Sequence, residues 1–322
     1  MKAIICNEYG PINGLVYGDM EEPKCGPNEV ILDAEAIGVN FPDGLLVQGL
    51  YQAKPPTPFV PGMELVGTIS AMGEKVEGFK IGDRVAALAL MGAFAEKVKV
   101  PASNLMLVPP NADGGEVTAL LCGYGTSHHG LKQRGQLKAG ETLVVTGAAG
   151  LTGLAAVQIG KAMGAKVIAV ASTPEKQKVC LDNGADIALG YDNLKDELKK
   201  ATDGNGADVV FDVVGGEAFD ACSRAMAWGG RLLVVGFASG TIPQFAVNLA
   251  LVKGYAVAGV FWGSFTAREP KVFASNMQEL MGWYVSGKIK PVVEAVYPLE
   301  KAAEALNFIH DRKAVGKVIL KP

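Results

Sequence analysis

The sequence predicts a two-domain α/β protein in which a β-rich domain is interrupted by an inserted, doubly wound parallel-sheet domain. Three observations carry that reading. The chain has 322 residues, more than the roughly 100–200 that one core usually serves. Up to about Ala119 its apolar segments are short and broken by proline and glycine, the pattern of a compact, irregular barrel. From about Thr142 to Val260 continuous apolar runs alternate with helix-like stretches, as expected of a parallel sheet covered by helices on both faces.

In the first zone the expected strands are Val30–Ala34, Leu65–Ser70, Arg84–Leu88 and Ala95–Val100, set off by Gly73, Gly78, Gly82 and Pro101. In the second, strand Leu143–Thr146 runs into a glycine-rich turn and a helix Leu151–Met163 closed by Gly164. Strand Val167–Ala171 precedes a helix from Pro174 to about Asn183. Pro174 suits a first helical turn and Thr173 its cap. A short strand near Ile187–Leu189, a helix around Leu194–Thr202, strand Asp208–Val213, helix Glu217–Trp228 and strand Arg231–Gly236 follow. The third zone, about Gly263–Pro322, holds amphipathic helices near Val272–Gly287 and Leu299–Asp311 and a strand Lys317–Leu320. So short a tail makes a poor independent core and is expected to pack onto the first zone. The domains are therefore expected at 1–121 with 263–322, and at 122–262.

Apolar residues make up 49% and charged residues 20%, the profile of a soluble globular protein. Glycine is abundant, at 41 residues or roughly 13% against a usual ~7%, which points to tight turns and close backbone approaches. The net charge is −3 and no basic block stands out, so no nucleic-acid footprint is evident. The longest apolar stretches, Val85–Ala95 and Tyr255–Gly263, are about half a membrane span. The opening residues reach Glu8 before a hydrophobic run of signal-peptide length; the expected location is cytoplasmic, away from the membrane. Five dispersed cysteines, none closer than 19 residues to another, argue for free thiols in a reducing compartment.

Gly147-Ala148-Ala149-Gly150-Leu151-Thr152-Gly153 lies between a strand and a helix, the context that makes a glycine pattern informative. Small residues let the backbone approach a pyrophosphate, and the helix N-terminus supplies free N–H groups and a favourable dipole. NAD-binding versions of this turn place an acid at the end of the second strand, for the ribose 2′-OH. Here that strand ends Val170-Ala171-Ser172-Thr173, with no acid before Glu175. A 2′-phosphate would meet Ser172 and Lys176, with Tyr191 completing the pocket, so the expected cofactor is NADP(H). Alone, Lys176 would read as a solvated helix lysine.

Gly140-Glu141 through Gly147-Ala148-Ala149-Gly150, with Gly153, Gln158 and Lys161, resembles the signature of the quinone oxidoreductase and zeta-crystallin family of the medium-chain dehydrogenase/reductase superfamily. Leu151 departs from that signature where a second glycine is usual, and Val144 where leucine is. The resemblance spans nearly the whole chain: Gly38-Val39-Asn40-Phe41-Pro42-Asp43 with Gly49-Leu50-Tyr51 looks like the family's active-site strand and loop. Pro61–Gly67 with Gly82–Val85, Gly123-Tyr124-Gly125-Thr126 and Gly316–Leu320 also match its pattern. It implies a GroES-like catalytic domain with an inserted Rossmann domain, and NADPH-dependent reduction of a quinone or similar conjugated carbonyl.

The zinc alcohol dehydrogenases of that superfamily have a histidine where Met63 stands, a cysteine within Gly38–Asp43 and a lobe of four closely spaced cysteines. None of these has a counterpart here. Zinc needs converging thiolate, imidazole or carboxylate ligands; Glu64 alone is no site and could equally pair with a cation. His128 and His129 would point about 100° apart on a helix and read as helix-surface or interface residues. Tyr191-x-x-x-Lys195 has the spacing of a short-chain dehydrogenase pair, but in the wrong connection of the sheet.

Without a metal, the substrate must be electrophilic already, as quinones and enones are, or be activated by hydrogen-bond donors. Tyr51 is the expected proton donor to the reduced oxygen; otherwise it is an exposed loop aromatic. Asn40 is expected to orient the nicotinamide ribose or carboxamide, or else to end a strand, with Thr126 on the cofactor's other side. Asp43 holds the loop or caps a turn. Phe41, Phe261 and Trp262 line an apolar pocket or fill the core. Gly150, Leu151, Thr152, Gly236, Phe237, Phe261, Trp262 and Lys317 complete the expected cofactor contacts. The competing readings are an enone or enoyl-thioester reductase and a non-catalytic NADPH- or RNA-binding protein. A homodimer through strand Tyr255–Val260 is what the superfamily resemblance implies.

Overall fold

The computed structural model describes residues 1–322. The chain begins with strands β1 (Lys2–Ile5), β2 (Val16–Asp19) and β3 (Glu29–Val39), helix α1 (Phe41–Val47), then β4 (Glu64–Met72), β5 (Arg84–Leu88), β6 (Lys97–Pro101), β7 (Leu105–Leu107) and α2 (Gly114–Ala119). The middle runs α3 (Gly125–His129), β8 (Thr142–Thr146), α4 (Leu151–Ala162), β9 (Lys166–Val170), α5 (Pro174–Asp182), β10 (Ile187–Leu189), α6 (Leu194–Ala201) and β11 (Ala207–Asp212). It continues with α7 (Gly216–Arg224), β12 (Met226–Val234), α8 (Asn248–Lys253), β13 (Ala256–Gly259), α9 (Trp262–Arg268) and α10 (Pro270–Val285). The last elements are β14 (Val293–Pro298), α11 (Ala302–His310) and β15 (Lys317–Lys321).

Two compact units result: Met1–Cys122 with Pro291–Pro322, and Gly123–Lys290. The return to the first unit thus comes at Pro291, later than the expected 263. The reason is that α9 and α10 pack within the second unit. Gln133 and Asn276 exchange side-chain hydrogen bonds of 3.0 and 3.1 Å, Trp262 meets Phe273 edge-on, and Gln158 holds both backbone groups of Lys290 at 2.9 Å.

In the first unit a seven-stranded sheet runs β14-β15-β3-β4-β5-β7, with β6 also pairing β3. All its pairings are antiparallel except β14 with β15. Val30, Leu32, Ile37, Leu65 and Val85 lie in its fully buried core, the half of the alternating residues that this sheet turns inward. The expected active-site loop after β3 is instead helical. Asn40 precedes α1, and Pro42 occupies its first turn, where a missing N–H costs nothing.

The second unit is a six-stranded parallel sheet in the order β10-β9-β8-β11-β12-β13, the Rossmann arrangement, whose order reverses between β8 and β11. Its strands carry unbroken buried runs, such as Leu143–Val145, Val167–Val170 and Leu232–Leu233, because helices cover both faces. One element differs from expectation. Helix α7 stops at Arg224 and β12 already begins at Met226. A bulge then separates the pairings Ala207–Met226 and Val209–Arg231, which leaves Trp228 81% exposed.

Candidate active site

Three strands of the first unit bring a charged cluster together. Gly38, near the end of β3, pairs with Glu64 at the start of β4, while Val39 pairs with Val318 of β15. A side chain on Gly38 would collide with the Glu64 carboxylate and come within 2.7 Å of Lys317 Nζ. The space that glycine leaves is filled by an ion pair between Glu64 and Lys317, both fully buried. Lys317 Nζ also donates to the Val39 carbonyl at 3.2 Å and to Asn40 Oδ1 at 3.0 Å. Asn40 Nδ2 donates to Glu64 Oε1 at 2.9 Å, and the Cys122 N–H donates to Glu64 Oε2 at 2.7 Å. An ammonium has three donors, and here all three are spent inside the protein. Lys317, expected at the cofactor, is therefore corrected to a buried counter-ion.

Asn40 is buried, and its backbone N–H donates to Asp43 Oδ2 at 2.8 Å. Asp43 thus caps the first turn of α1, one of its two expected roles. Its side chain is fully buried and Oδ1 has no hydrogen-bond partner. Burial pushes its carboxyl up to about 7; the Asn40 N–H and Lys317 oppose that rise and Glu64 reinforces it. Tyr51 is half-buried and packs on the cluster of Cys6, Leu46, Val47 and Phe59. Its hydroxyl makes no hydrogen bond within the chain. Burial raises its pKa, with smaller contributions from Cys122 and Asp43. Phe41 does not stand free as a pocket wall: its ring stacks on His310 at 4.3 Å, and its carbonyl accepts from His310 Nε2 at 3.0 Å.

In the second unit the expected cofactor residues gather at the carboxyl ends of the parallel strands, where ligands of such sheets bind. Gly147 takes φ +59°, and a side chain on Gly153 would run into the Gly147 carbonyl and the Ala148 backbone. Helix α4 starts at Leu151 behind Gly150 with no side chain capping it, which leaves its first N–H groups for an anion. The Leu151 side chain turns away onto Gly123, where an added Cβ would lie 2.5 Å from Leu151 Cγ. A leucine therefore fits this turn through its backbone N–H, provided that residue 123 is glycine.

At the end of β9, Ser172 is exposed and Thr173 caps α5, accepting the Lys176 N–H at 3.3 Å. Tyr191 is placed differently from expectation. Its hydroxyl accepts the Gly147 N–H at 2.9 Å and donates to the Val170 carbonyl at 3.4 Å, and burial pushes its pKa up to about 12. It braces the glycine turn. Behind the same turn lies Asp212, which sequence reasoning missed. This buried carboxylate accepts the Thr146 hydroxyl at 2.5 Å and the Val214 and Gly215 N–H groups at 3.1 and 3.2 Å. The available signal was an acid inside an otherwise apolar strand end.

Gly236 and Phe237 follow β12, with the Gly236 N–H on the Asp212 carbonyl at 3.3 Å. Thr126 is part-exposed on α3 and its hydroxyl has no partner within the chain, while Phe261 is 52% exposed. Trp262 is buried instead, lying against Gly125 and among Phe265 and Phe273; of its two expected places it takes the core, and its expected contact with the cofactor is corrected to core packing. The histidines are not on the helix surface either. His128 is fully buried, 3.1 Å from Glu279 and edge-on to Trp283; His129 stacks on Phe265 at 3.7 Å. Burial depresses the pKa of both, His128 to about 4. Their helix is sandwiched because α9 and α10 belong to this unit. Lys195 pairs with Asp196 at 3.4 Å on the surface.

Residues 26–110 match the family described as Alcohol dehydrogenase GroES-like domain, and residues 152–280 the one described as Zinc-binding dehydrogenase. With the Rossmann strand order, these define a medium-chain dehydrogenase/reductase. Similar curated proteins include the Quinone oxidoreductase-like protein 2 homolog of Nematostella vectensis (37% identical, over 99% of this chain and 88% of that one). Human Quinone oxidoreductase is 33% identical over 99% and 97%. Acryloyl-coenzyme A reductase of Sulfurisphaera tokodaii is 31% identical over the full length of both. Among solved structures, Pseudomonas syringae quinone oxidoreductase superposes with a TM-score of 0.93 at 32% identity over 100% and 99% of the two chains. Escherichia coli quinone oxidoreductase complexed with NADPH gives 0.93 at 27% over all of both chains. The chain belongs to the quinone oxidoreductase, or zeta-crystallin-like, family of the medium-chain dehydrogenase/reductase superfamily, and is an oxidoreductase of that type.

The word zinc in one family description does not carry over to these residues. At the position of Glu64 the carboxylate is already neutralised by an ammonium, Met63 precedes it, and no three His, Cys, Asp or Glu side chains converge. That donor set does not fit a zinc ion. No helix is long and apolar enough to cross a membrane.

Proposed function

We propose that the protein uses NADPH to reduce a quinone or similar electrophilic conjugated carbonyl, without a metal. The observation that carries the cofactor half is the acid-free end of β9. Ser172 is exposed there beside Lys176, one strand from an uncapped helix N-terminus. A 2′-phosphate finds a hydroxyl and an ammonium, and the strand end itself carries no acid, the first being Glu175 in the first turn of α5. The relative of known structure with NADPH bound supports the same choice.

Bound NADPH supplies the hydride from its nicotinamide C4. The chain's part is to orient, exclude water and deliver a proton. Asn40 orients the nicotinamide end, Thr126 contacts the cofactor from its own helix, Leu151 and Thr152 hold the pyrophosphate through backbone N–H groups, and Gly150, whose own N–H is bonded to the Gly147 carbonyl, lets the phosphates approach. Tyr51, whose hydroxyl no other group in the chain occupies, donates to the oxygen that gains negative charge. Asp43 fixes the first turn of α1 from which this side of the site is built.

A purified-protein screen of NADPH oxidation across ortho- and para-quinones, enones and enoyl-CoA thioesters tests the reading. The full-length likeness to an acryloyl-CoA reductase makes thioesters the second reading. Turnover of thioesters above all quinones would select it, and no turnover of any acceptor would remove both. We also infer a homodimer. Edge strand β13 exposes Val257, and Trp228 of the neighbouring strand β12 with Val247, Leu251 and Val252, which precede β13 in the chain, are 71–81% exposed. A monomer by light scattering at micromolar concentration would overturn that inference.

A further inference from the structure

We propose that the buried Glu64–Lys317 pair is a positioning device for Asn40, which holds its carboxamide in one orientation toward the nicotinamide end of the cofactor. This rests on the NADPH reading above. The two ends of a carboxamide are alike in shape and opposite in hydrogen bonding. Here each end meets a group that accepts only one of them: the Glu64 carboxylate can only accept, and it takes Asn40 Nδ2; the Lys317 ammonium can only donate, and it takes Asn40 Oδ1. A flip of the amide would set N–H against ammonium and oxygen against carboxylate. The backbone at the same residue is held as well, by Asp43 Oδ2.

That arrangement leaves Asn40 one N–H for a ligand, fixed in space. Neither Glu64 nor Lys317 is exposed, so neither touches a ligand directly. Burying an ion pair is weak evidence for stability, since an apolar pair of similar volume usually serves as well. The pair's distinctive product is the polarity it imposes on Asn40. Gly38 is the third part of the device, because any side chain there would displace both charges.

The test compares the wild type with Asn40→Ala, with the charge-free double variant Glu64→Leu/Lys317→Met, and with all three changes combined. Removing both charges together leaves no unpaired ion in the core. If the pair acts through Asn40, Asn40→Ala and the double variant should each lower kcat by about tenfold or more, as small misplacements do. Their combination should then fall no further. Independently of any acceptor, selectively ¹⁵N-labelled protein reports the Asn40 side-chain amide. Its protons should exchange at least about tenfold faster in the double variant than in wild type. An unchanged exchange rate in the double variant, or kcat losses that multiply in the combination, overturns the proposal. If the double variant does not fold, Gly38→Ala displaces the same charges without removing them and should release the amide in the same way. A wild-type protein that oxidises no NADPH with any acceptor would remove the reductase reading, while the amide exchange would still decide whether the pair locks Asn40.

Discussion

The glycine turn of the second unit and the charged cluster of the first solve opposite problems. The turn is neutral and local, seven residues from Gly147 to Gly153, and it leaves helix N–H groups without internal partners. The cluster draws on residues from Gly38 to Lys317, and its charged groups are spent on internal partners; only Asp43 Oδ1 is without a partner, and Asn40 keeps one N–H. A ligand can complete the first, because its unmet donors are the binding energy. The second must be complete beforehand, because a charge left unpaired in a dry interior costs several kcal/mol. Binding surfaces can be left open; charged scaffolds cannot.

The largest expected break in this contrast is Lys317→Met. It strands the Glu64 carboxylate and should cost about 3–5 kcal/mol in urea unfolding. Adding Glu64→Gln should restore most of it, and no restoration would deny that the two charges are coupled. Next is Asp43→Asn. Native Asp43 keeps its proton up to about 7, against 3.8 for the ordinary group, so between those values the folded state binds more protons than the unfolded one. The contribution of Asp43 to stability is therefore full below about 4, falls as pH rises towards 7 and is flat above it. Asparagine has no proton to lose. The variant should gain stability over wild type by up to about 4 kcal/mol at pH 8, at roughly 1.4 kcal/mol per pH unit, and the gain should shrink as the pH is lowered. A gain equal at all pH values would contradict this.

Tyr51→Phe probes the one polar group near the cluster that has no internal partner. Loss of a positioned acid should lower kcat on the best acceptor by about 10²; an unchanged kcat across the pH range would take the proton from Tyr51. On the glycine-turn side the effects should be smaller and confined to the ligand. Lys176→Ala should raise KM for NADPH by about tenfold with little change for NADH, as expected for the loss of one charge-assisted contact. Equal changes in both would remove the 2′-phosphate assignment. The smallest is Tyr191→Phe, which deprives the Gly147 N–H of its acceptor. It should cost about 1 kcal/mol of stability, and a shift in NADPH affinity alone would show that the hydroxyl belongs to the ligand after all.

What could be read from sequence follows the same division. The glycine turn, Thr173 as a cap and the missing acid at the end of β9 are consecutive residues whose meaning depends on immediate neighbours. The four inner parallel strands were legible because burial on both faces forces unbroken apolar runs. The cluster was not, since Glu64 and Lys317 lie 253 residues apart. Nothing near either announces the other. Glu64 was left able to pair with a cation, but which cation was a matter of sheet order. The burial of His128 and His129 was missed, and the place of Trp262 left open, for a related reason. Whether a helix face is surface depends on which unit claims α9 and α10, and an amphipathic pattern looks the same in either case.

By itself, then, the sequence determined the α/β class, the doubly wound sheet and the glycine turn after its first strand, because those depend on periodicity and on contacts within a few residues. Only the tertiary structure decided that Lys317 is an internal counter-ion, that Tyr191 braces the turn and that Asp43 is sealed from water. Burial and pairing are properties of residues brought together from distant parts of the chain, and it is desolvation, felt only there, that turns an ordinary lysine or aspartate into something else.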